Sequence, residues 1–247
     1  LNVSTVPGDG IVRYSSNKTN VATVTPNGVV TATGEGTAVI TITAIKSGYD
    51  STTATVPVTV RAPAAATVFP DVQGHWAKDV INELAQKGII GGYNDGTFKP
   101  DNKITRAEFT RILVKAMGLL EERPASSTFD DVAPNAWYFG SVEAAAKAGI
   151  VTGDGSGGFR PNAQITRQEI TVILIRALNK QNLAQTNAAQ QTRFADDQDI
   201  ASWARGYVVT AVQEGLINGY QDNTFRPNNN ATRAEACRMI GNFMSKR

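Results

Sequence analysis

Hydrophobic and polar residues alternate with a period of two along the first 60 residues of the chain. Apolar side chains alternate with threonine over residues 38–44, and residues 53–60 repeat this pattern through Val56, Val58 and Val60. Asn27-Gly28 supplies a turn between two such runs. The pattern is typical of half-buried strands that pack on one face. We therefore predict an all-β domain over residues 1–60, followed by a short linker over residues 61–67.

A helical period replaces this alternation further along the chain. Apolar residues recur at i, i+3, i+4 and i+7 after each of three similar segments. The segments are Thr105-Arg106-Ala107-Glu108, Thr166-Arg167-Gln168-Glu169 and Thr232-Arg233-Ala234-Glu235. Thr-x-x-Glu ahead of such a run predicts a capping box at the start of a helix. An earlier helical pattern in each repeat ends at Gly88, Gly149 or Gly215, which are suited to a helix C-terminus.

The spacing of aromatic residues is constant across the three segments. Each of the three tryptophans stands 22 residues before a phenylalanine, and that phenylalanine stands 8 residues before the motif arginine. The positions are Trp76, Phe98 and Arg106; Trp137, Phe159 and Arg167; and Trp203, Phe225 and Arg233. Fixed spacing indicates one structural unit used three times. We predict all-α helix-loop-helix repeats over residues 68–120, 128–180 and 193–247, with a solvated loop over residues 179–192.

The motif arginine is not explained by local helix stability. A cation in the first turn faces the positive end of the helix dipole, which is unfavourable. Its return in all three copies suggests that it holds an anion beside the free N–H groups of the helix start. The alternative is that each arginine has a structural partner, such as an acid of its own repeat.

Composition excludes several classes of function. The net charge is +2 over 247 residues, with no run of Lys and Arg, so we expect no nucleic-acid partner. No stretch approaches 18 consecutive apolar residues, so we expect no membrane insertion. The single cysteine, Cys237, allows no internal disulfide and is expected to be a small buried residue. Because the chain opens on Leu1 without a signal peptide, we expect it to be a fragment of a longer protein.

The repeated motifs resemble those of S-layer homology domains. These motifs are Phe-x-Asp, Trp, the loop Gly-Tyr-x-Asp-Gly-Thr-Phe-x-Pro and Thr-Arg-Ala-Glu, over residues 68–247. The resemblance implies a secreted protein that is anchored non-covalently to the cell wall or S-layer of a Gram-positive bacterium. The implied partner is a secondary cell-wall polymer that carries pyruvylated N-acetylmannosamine. The implied fold is a pseudo-threefold assembly with binding grooves between repeats.

The N-terminal segment resembles a bacterial Ig-like group 2 domain, which implies an Ig-like sandwich. The resemblance rests on Asn27-Gly28-Val29-Val30 and on Gly34-Glu35-Gly36-Thr37. About 60 residues is short for such a sandwich, so a strand is expected to be missing. We expect this domain to act as a spacer.

The resemblance also assigns site residues. An arginine fork can hold the carboxylate of a pyruvate ketal, which implicates Arg106, Arg167 and Arg233. A tryptophan offers a flat surface for a sugar, although Trp76, Trp137 and Trp203 could instead pack in the core. Asp71, Asp131 and Asp196 could accept sugar hydroxyls or cap the turn before each tryptophan. Gly92 and Gly219 would allow close approach of a ligand, and Tyr93 and Tyr220 would form a wall.

The second repeat departs from the loop motif. Gly153 and Asp154 stand where the other repeats have Gly-Tyr. A carboxylate facing an anionic ligand is unfavourable, so we expect the groove formed by this loop to be weak or empty. Asp154→Tyr is then expected to strengthen binding.

Rival functions have weaker support. Adjacent acids such as Asp130-Asp131 cannot easily face each other across a sugar as a glycosidase requires. The only histidine, His75, is replaced by Ala136 and Ser202 in the other repeats. We therefore expect no catalytic residues, no metal site and no cofactor. A self-assembly module of a surface lattice, without carbohydrate binding, is the alternative, and lattice contacts could also come from missing parts of the parent protein.

Overall fold

The computed structural model describes residues 10–60 and 69–247. The chain divides into two compact units, Leu1–Ala65 and Ala66–Arg247. The predicted linker over residues 61–67 lies outside the described residues. The first unit is a β-sheet region and the second is helical, as the change of hydrophobic period predicted.

Antiparallel strands build the described part of the first unit. They are β1 (Ile11–Ser16), β2 (Ala22–Val24), β3 (Val30–Ala32), β4 (Gly36–Ile45) and β5 (Thr52–Val60). β4 is the central strand of a three-stranded sheet in the order β1-β4-β5, and β2 pairs with β3 in a second sheet. Ala38, Ile40 and Ile42 of β4 are buried at every second position, which confirms the predicted alternation.

The helical unit contains two main helices in each repeat. They are α1 (Lys78–Gln86) and α2 (Arg106–Met117), α3 (Phe139–Lys147) and α4 (Arg167–Ala177), and α6 (Ser202–Gln213) and α7 (Arg233–Met244). Short 3-10 turns at Pro70–Val72 and Asp197–Asp199 open the first and third repeats. The predicted helix-loop-helix units are therefore confirmed.

The second helix of each repeat begins with the predicted capping box. In α2, the Glu108 N–H donates to Thr105 Oγ1 at 3.2 Å, and the Thr105 N–H donates to Glu108 Oε2 at 2.8 Å. The same reciprocal pair starts α4 at Thr166 and α7 at Thr232. Gly88 follows α1 at a φ of 68°, a left-handed conformation that favours glycine at a helix end.

Helices of different repeats pack against each other. The second helix of one repeat contacts the first helix of another in three pairs: α2 with α3, α4 with α6, and α7 with α1. Within each repeat, the phenylalanine of Phe-x-Asp contacts the loop phenylalanine, as Phe69 does Phe98 with ring centroids 5.3 Å apart. Cys237 is buried in α7, and burial raises the pKa of its thiol to about 12, as expected of an unreactive cysteine.

The segment before the third repeat is more ordered than predicted. In place of a solvated loop over residues 179–192, it contains α5 (Gln181–Thr186), which packs against α6. Asn187 is buried and donates from Nδ2 to Thr210 Oγ1 at 2.9 Å and to Gln213 Oε1 at 3.0 Å. These paired amide groups explain how a sequence rich in Gln and Asn enters the interior.

Candidate functional site

Three cavities of similar construction lie on the helical unit. We name each after the tryptophan that lines it. The Trp76 groove has a volume of 630 Å³, the Trp137 groove 830 Å³ and the Trp203 groove 430 Å³. Each also contains one motif arginine and part of one interhelical loop. The Trp76 groove has Arg167 with Gly219 and Tyr220, and the Trp137 groove has Arg233 with Gly92 and Tyr93. The Trp203 groove has Arg106 with Gly153 and Asp154.

Every groove draws its lining from all three repeats. In the Trp76 groove, the tryptophan comes from the first repeat, Arg167 from the second and the Tyr220 loop from the third. In the Trp137 groove, the tryptophan comes from the second repeat, the arginine from the third and the loop from the first. In the Trp203 groove, they come from the third, the first and the second repeat. The tryptophan and the arginine that were predicted to bind one ligand therefore lie in the same groove but come from different repeats.

The tryptophan side chains are largely exposed. Trp76 is 58% exposed, Trp137 50% and Trp203 55%, so the alternative of core packing is wrong for all three. Charged side chains lie beside two of them: Arg238 Cζ is 5.9 Å from the Trp76 ring centroid, and Arg111 Cζ is 5.3 Å from that of Trp137. An exposed indole face next to a cation suits a polar, partly anionic ligand such as an acidic sugar.

Each motif arginine is buried and donates to the next loop in the cycle of repeats. Nε of Arg106 donates to the carbonyl oxygen of Phe159 at 2.9 Å. Arg167 bonds Phe225 in the same way at 2.8 Å, and Arg233 bonds Phe98 at 2.9 Å. These bonds run from repeat one to two, two to three and three to one. The arginine thus has a structural role, which was the alternative to ligand binding.

The acid that pairs with each arginine belongs to another repeat, not to its own. Arg106 Nη1 lies 3.1 Å from Glu169 Oε1, and the corresponding distances are 3.5 Å for Arg167–Glu235 and 3.3 Å for Arg233–Glu108. These are the capping-box glutamates. One carboxylate therefore caps its own helix through Oε2 and fixes a neighbour's guanidinium through Oε1.

The three aspartates of Phe-x-Asp support the loops instead of the turn before each tryptophan. Asp71 accepts from the N–H groups of Phe98 at 3.0 Å and Lys99 at 2.7 Å. Asp131 and Asp196 bond the matching N–H groups of their repeats. Lys99 has a φ of 56°, so the carboxylate stabilises a strained loop residue. None of the three is among the described residues that line the grooves.

The loop glycines are required by packing inside the repeat. A Cβ on Gly92 would lie 2.5 Å from Phe69 Cε1 and 2.7 Å from the Thr97 carbonyl oxygen. Gly219 meets the same obstacles in Phe194 and Thr224. These glycines line the grooves, but the lack of room for a Cβ beside the phenylalanine is sufficient to explain why glycine occupies both positions.

Both tyrosines form part of a groove wall. The Tyr220 ring contacts two guanidinium groups, with Arg226 Cζ 4.0 Å and Arg167 Cζ 4.6 Å from its centroid. Its hydroxyl donates to Glu235 Oε1. Burial, followed by this hydrogen bond, raises the pKa of Tyr220 to about 12. Tyr93 is similarly placed, with Lys99 Nζ 4.4 Å and Arg233 Cζ 4.9 Å from its ring.

The divergent loop of the second repeat keeps its backbone closure. The Asp154 N–H donates to the Gly158 carbonyl oxygen at 2.8 Å, the distance that the matching bond of Tyr93 has in the first repeat. The Asp154 carboxylate accepts from Ser156 N, Ser156 Oγ and Gly158 N, so it is directed into its own loop. Arg160 Nη2 donates to Glu169 Oε1 at 3.4 Å. In the third repeat the matching oxygen, Glu235 Oε1, accepts from Tyr220.

Sequence reasoning missed the cations on the second helices. Arg111 and Lys115 line the Trp137 groove, Arg238 the Trp76 groove and Arg176 the Trp203 groove. A signal was available, because an arginine follows the motif arginine by five positions in two of the three copies. Five positions correspond to about 140° around a helix, so the signal was the recurrence of the arginine and not a shared helix face.

Residues 10–60 and 69–247 contain neither a cluster of metal-ligating side chains nor a membrane-spanning helix. In that part of the chain, no group of three or more His, Cys, Asp and Glu side chains could hold a metal ion. None of its helices has the length and apolar character that crossing a membrane requires.

Relatives of this chain include enzymes and S-layer proteins. Amylopullulanase of Thermoanaerobacterium thermosulfurigenes is 41% identical over 178 residues, which make up 72% of this chain and 10% of that protein. Exoglucanase XynX of Acetivibrio thermocellus is 40% identical over 181 residues, which make up 73% of this chain and 16% of that protein. S-layer protein sap of Bacillus anthracis is 32% identical over 178 residues, which make up 72% of this chain and 21% of that protein. The chain thus spans about a fifth or less of the length of these relatives.

Two family models match the chain. The model described as the immunoglobulin-like domain of intimin matches residues 5–46. The prediction of an Ig-like domain is therefore confirmed, but the matching domain type is that of intimin and not group 2. The model described as S-layer homology domain matches residues 68–110, 128–171 and 193–237. With these three segments covering more than half of its residues, the chain belongs to the S-layer homology domain family.

Proposed function

We propose that the three grooves bind a secondary cell-wall polymer and so anchor a surface protein to the wall of a Gram-positive bacterium. Membership of the S-layer homology family implies cell-wall anchoring. The observation that carries the finer proposal is the pairing, in every groove, of an exposed tryptophan with a buried motif arginine. The saccharide we propose is pyruvylated N-acetylmannosamine.

The motif arginine is suited to hold the pyruvate carboxylate. A guanidinium has five N–H donors, and in Arg106 the bonds to the Phe159 carbonyl and to Glu169 use two of the three nitrogens. A ligand carboxylate would approach the remaining edge from the groove. In Arg233, Nη2 also donates to the Gly91 carbonyl oxygen, and one N–H on each terminal nitrogen remains for the ligand. Because the guanidinium is already oriented by these bonds, little side-chain entropy is lost on binding.

The tryptophan provides the second contact. Its exposed face can stack on the apolar side of a sugar ring, and its indole N–H can donate to a hydroxyl. A single charge-assisted bond contributes only about 1.5–3 kcal/mol, so each groove needs both contacts. A polymer that enters two grooves would gain further avidity without new contacts.

The same proposal includes a closed, pseudo-threefold arrangement of three all-α repeats. Support comes from the arginine–carbonyl bonds, which lead from the third repeat back to the first through Arg233 and Phe98. It also comes from the backbone bridges Thr105–Gln164, Thr166–Asn230 and Lys103–Thr232, which link the repeats pairwise. We keep 68–120, 128–180 and 193–247 as the proposed repeat boundaries.

Anchoring does not require catalysis by this chain. The match to amylopullulanase covers 10% of that enzyme, so an enzyme can carry this module beside a separate catalytic part. We propose that the module itself is not an enzyme, and that any activity or lattice contact of the whole protein arises elsewhere in it.

Calorimetric titration tests this function. The chain is titrated with a pyruvylated terminal saccharide and, in parallel, with the same saccharide lacking pyruvate. Trp76→Ala, Trp137→Ala and Trp203→Ala serve as variants, because exposed side chains can be removed without loss of the fold. Binding that requires both the pyruvate and a tryptophan supports the proposal. Absence of binding by folded protein, together with self-association, would favour the lattice module.

A further inference from the structure

The Trp137 groove has a positively charged wall. Helix α2 contributes Arg111 and Lys115, which lie one helical turn apart and both line this groove. The Arg111 guanidinium stands 5.3 Å from the centroid of the exposed Trp137 ring. Side chains four residues apart on a helix are neighbours, so the two cations can act on one group.

Glu108, the acid in the lining of this groove, pairs with Arg233 and not with Arg111 or Lys115. Within residues 10–60 and 69–247, Arg111 and Lys115 take part in no salt bridge, and Lys115 Nζ donates to the Gly88 carbonyl oxygen at 3.3 Å. The motif arginine differs, because Arg233 pairs with Glu108 at 3.3 Å. The groove therefore has one arginine whose charge is balanced and two cations whose charges are not.

The other two grooves have a smaller excess of positive charge than the net +2 of the Trp137 groove, where Arg111, Lys115 and Arg233 face Glu108. At the two matching helix positions, the Trp76 groove has Arg238 and Asn242. Its other charged lining residues are Arg167, Arg226, Asp101, Asp222 and Glu235, so the charges of this groove cancel. The Trp203 groove has Val172 and Arg176 there. Its other charged lining residues are Arg106, Arg160, Asp154 and Glu169, which leaves a net charge of +1. The three grooves share the tryptophan and the motif arginine but differ in charge.

We propose that the Trp137 groove is selective for a saccharide that carries two anionic groups. One anion binds at Arg233, and the second binds between Arg111 and Lys115 on the wall. The second group can be a further carboxylate or a phosphate, since both accept from a guanidinium and an ammonium. This inference rests on the proposed carbohydrate-binding function and adds which ligand class each groove prefers.

The arrangement of tryptophans allows each groove to be measured alone. Because each groove has one of the three tryptophans, the variant Trp76→Phe/Trp203→Phe leaves Trp137 as the only indole emitter. In this reporter, fluorescence titration compares a saccharide bearing one pyruvate, one bearing two carboxylates, and one bearing a pyruvate and a phosphate. Calorimetry of the unaltered chain with the same ligands checks that the replacements did not create the result.

We expect at least one doubly anionic saccharide to bind the reporter about tenfold more tightly, since each half-exposed ion pair contributes a few-fold. Adding Arg111→Gln/Lys115→Gln should reduce the preference to about twofold or less, and Lys115→Gln alone should reduce it in part. The preference should also weaken with added salt. Arg123→Gln/Lys147→Gln removes two exposed charges away from the grooves and should preserve it.

Equal affinity for singly and doubly charged saccharides would overturn the inference. Persistence of the preference in folded Arg111→Gln/Lys115→Gln protein would do the same, because the second anion would then lie elsewhere. Failure of all saccharides to bind, by fluorescence and by calorimetry, would instead reject the carbohydrate-binding function on which the inference depends.

Discussion

Arg233 in the third repeat donates from Nε to the carbonyl oxygen of Phe98 in the first repeat, 135 positions earlier in the chain, at 2.9 Å. The same guanidinium pairs with Glu108 through Nη1 and donates to the Gly91 carbonyl oxygen through Nη2. One side chain thus connects the end of the helical unit to its beginning. Three of its bonds would be lost together if it were truncated.

Arg233→Ala is expected to destabilise the helical unit by about 3 kcal/mol, because it leaves a buried carbonyl and a paired carboxylate without their partner. Urea unfolding followed by tryptophan emission measures this directly, since all three tryptophans lie in this unit. Arg238→Ala, on the same helix and without an ion pair in the described chain, should cost less than about 1 kcal/mol. Equal costs would show that the connection to Phe98 adds little.

Trp137→Ala is expected to separate binding from folding. The side chain is 50% exposed, so stability should change by less than about 1 kcal/mol. If the indole is a sugar platform, affinity in the Trp137 groove should fall at least about tenfold. Calorimetry beside thermal unfolding gives both quantities. An unchanged affinity in this groove would remove the tryptophan from the proposed site.

The divergent second-repeat loop predicts weak binding in the Trp203 groove. Asp154→Tyr alone would also remove an acceptor that three loop donors use, so its gain in affinity should be small. Replacing residues 154–158 by the first-repeat sequence Tyr-Asn-Asp-Gly-Thr keeps the loop length and restores both the wall and the turn acceptor. We expect the exchange to strengthen saccharide binding reported by Trp203 emission. No gain would show that the loop does not limit this groove.

Loop stability should depend on pH through Asp222. The Thr224 hydroxyl, and next Arg226, lower the pKa of this carboxyl to about 2. Because the folded pKa lies below the ordinary value of 3.8, ionised Asp222 stabilises the fold above about pH 4, and this contribution disappears as the pH falls towards 2. Asp222→Asn should therefore be less stable than the parent at pH 7 and equal to it near pH 2.

Asp95 provides a second measurement of the same effect. The Thr97 hydroxyl, and next Lys99, lower its pKa to about 2 in the first repeat. Asp95→Asn should show the same pH-dependent deficit in chemical unfolding. A deficit that persists at pH 2 in both variants would point to lost hydrogen bonds instead of lost charge.

Gly206→Ala is expected to disrupt the contact between α5 and α6. An added Cβ would lie 1.9 Å from the Ala184 carbonyl oxygen, which belongs to the backbone and cannot rotate away. A loss of about 3 kcal/mol is expected, at the upper end for overpacking. Gly74→Ala is the control, because an added Cβ there meets no atom within 4 Å. Equal stability of the two variants would contradict the close packing of α5.

The sequence was sufficient to predict the two main helices of each repeat and the start of the second one, because those depend on short-range chemistry. Thr105 and Glu108 are three positions apart, and their reciprocal bonds need no other part of the chain. The glycine after α1 was predictable for the same reason. Patterns whose cause lies within one or two helical turns can be interpreted from one sequence.

The partners of the arginines could not be predicted, because they depend on the packing of separate repeats. Nothing near Arg106 in the sequence indicates that its carbonyl partner is Phe159 or that its acid is Glu169. The α5 helix was missed for a related reason. Its polar residues suggested solvent, yet Asn187 is buried because Thr210 and Gln213 supply its hydrogen bonds.

The shared use of the capping glutamates constrains how this module can change over evolution. Each glutamate serves its own helix and the arginine of a different repeat, so a repeat that is lost or added leaves both groups without their partners at the new junction. A fourth copy would have to break the bond between Arg233 and Phe98 before it could join. Repeats of this kind are therefore expected to be inherited as complete sets of three, unlike open repeat arrays that grow by single units.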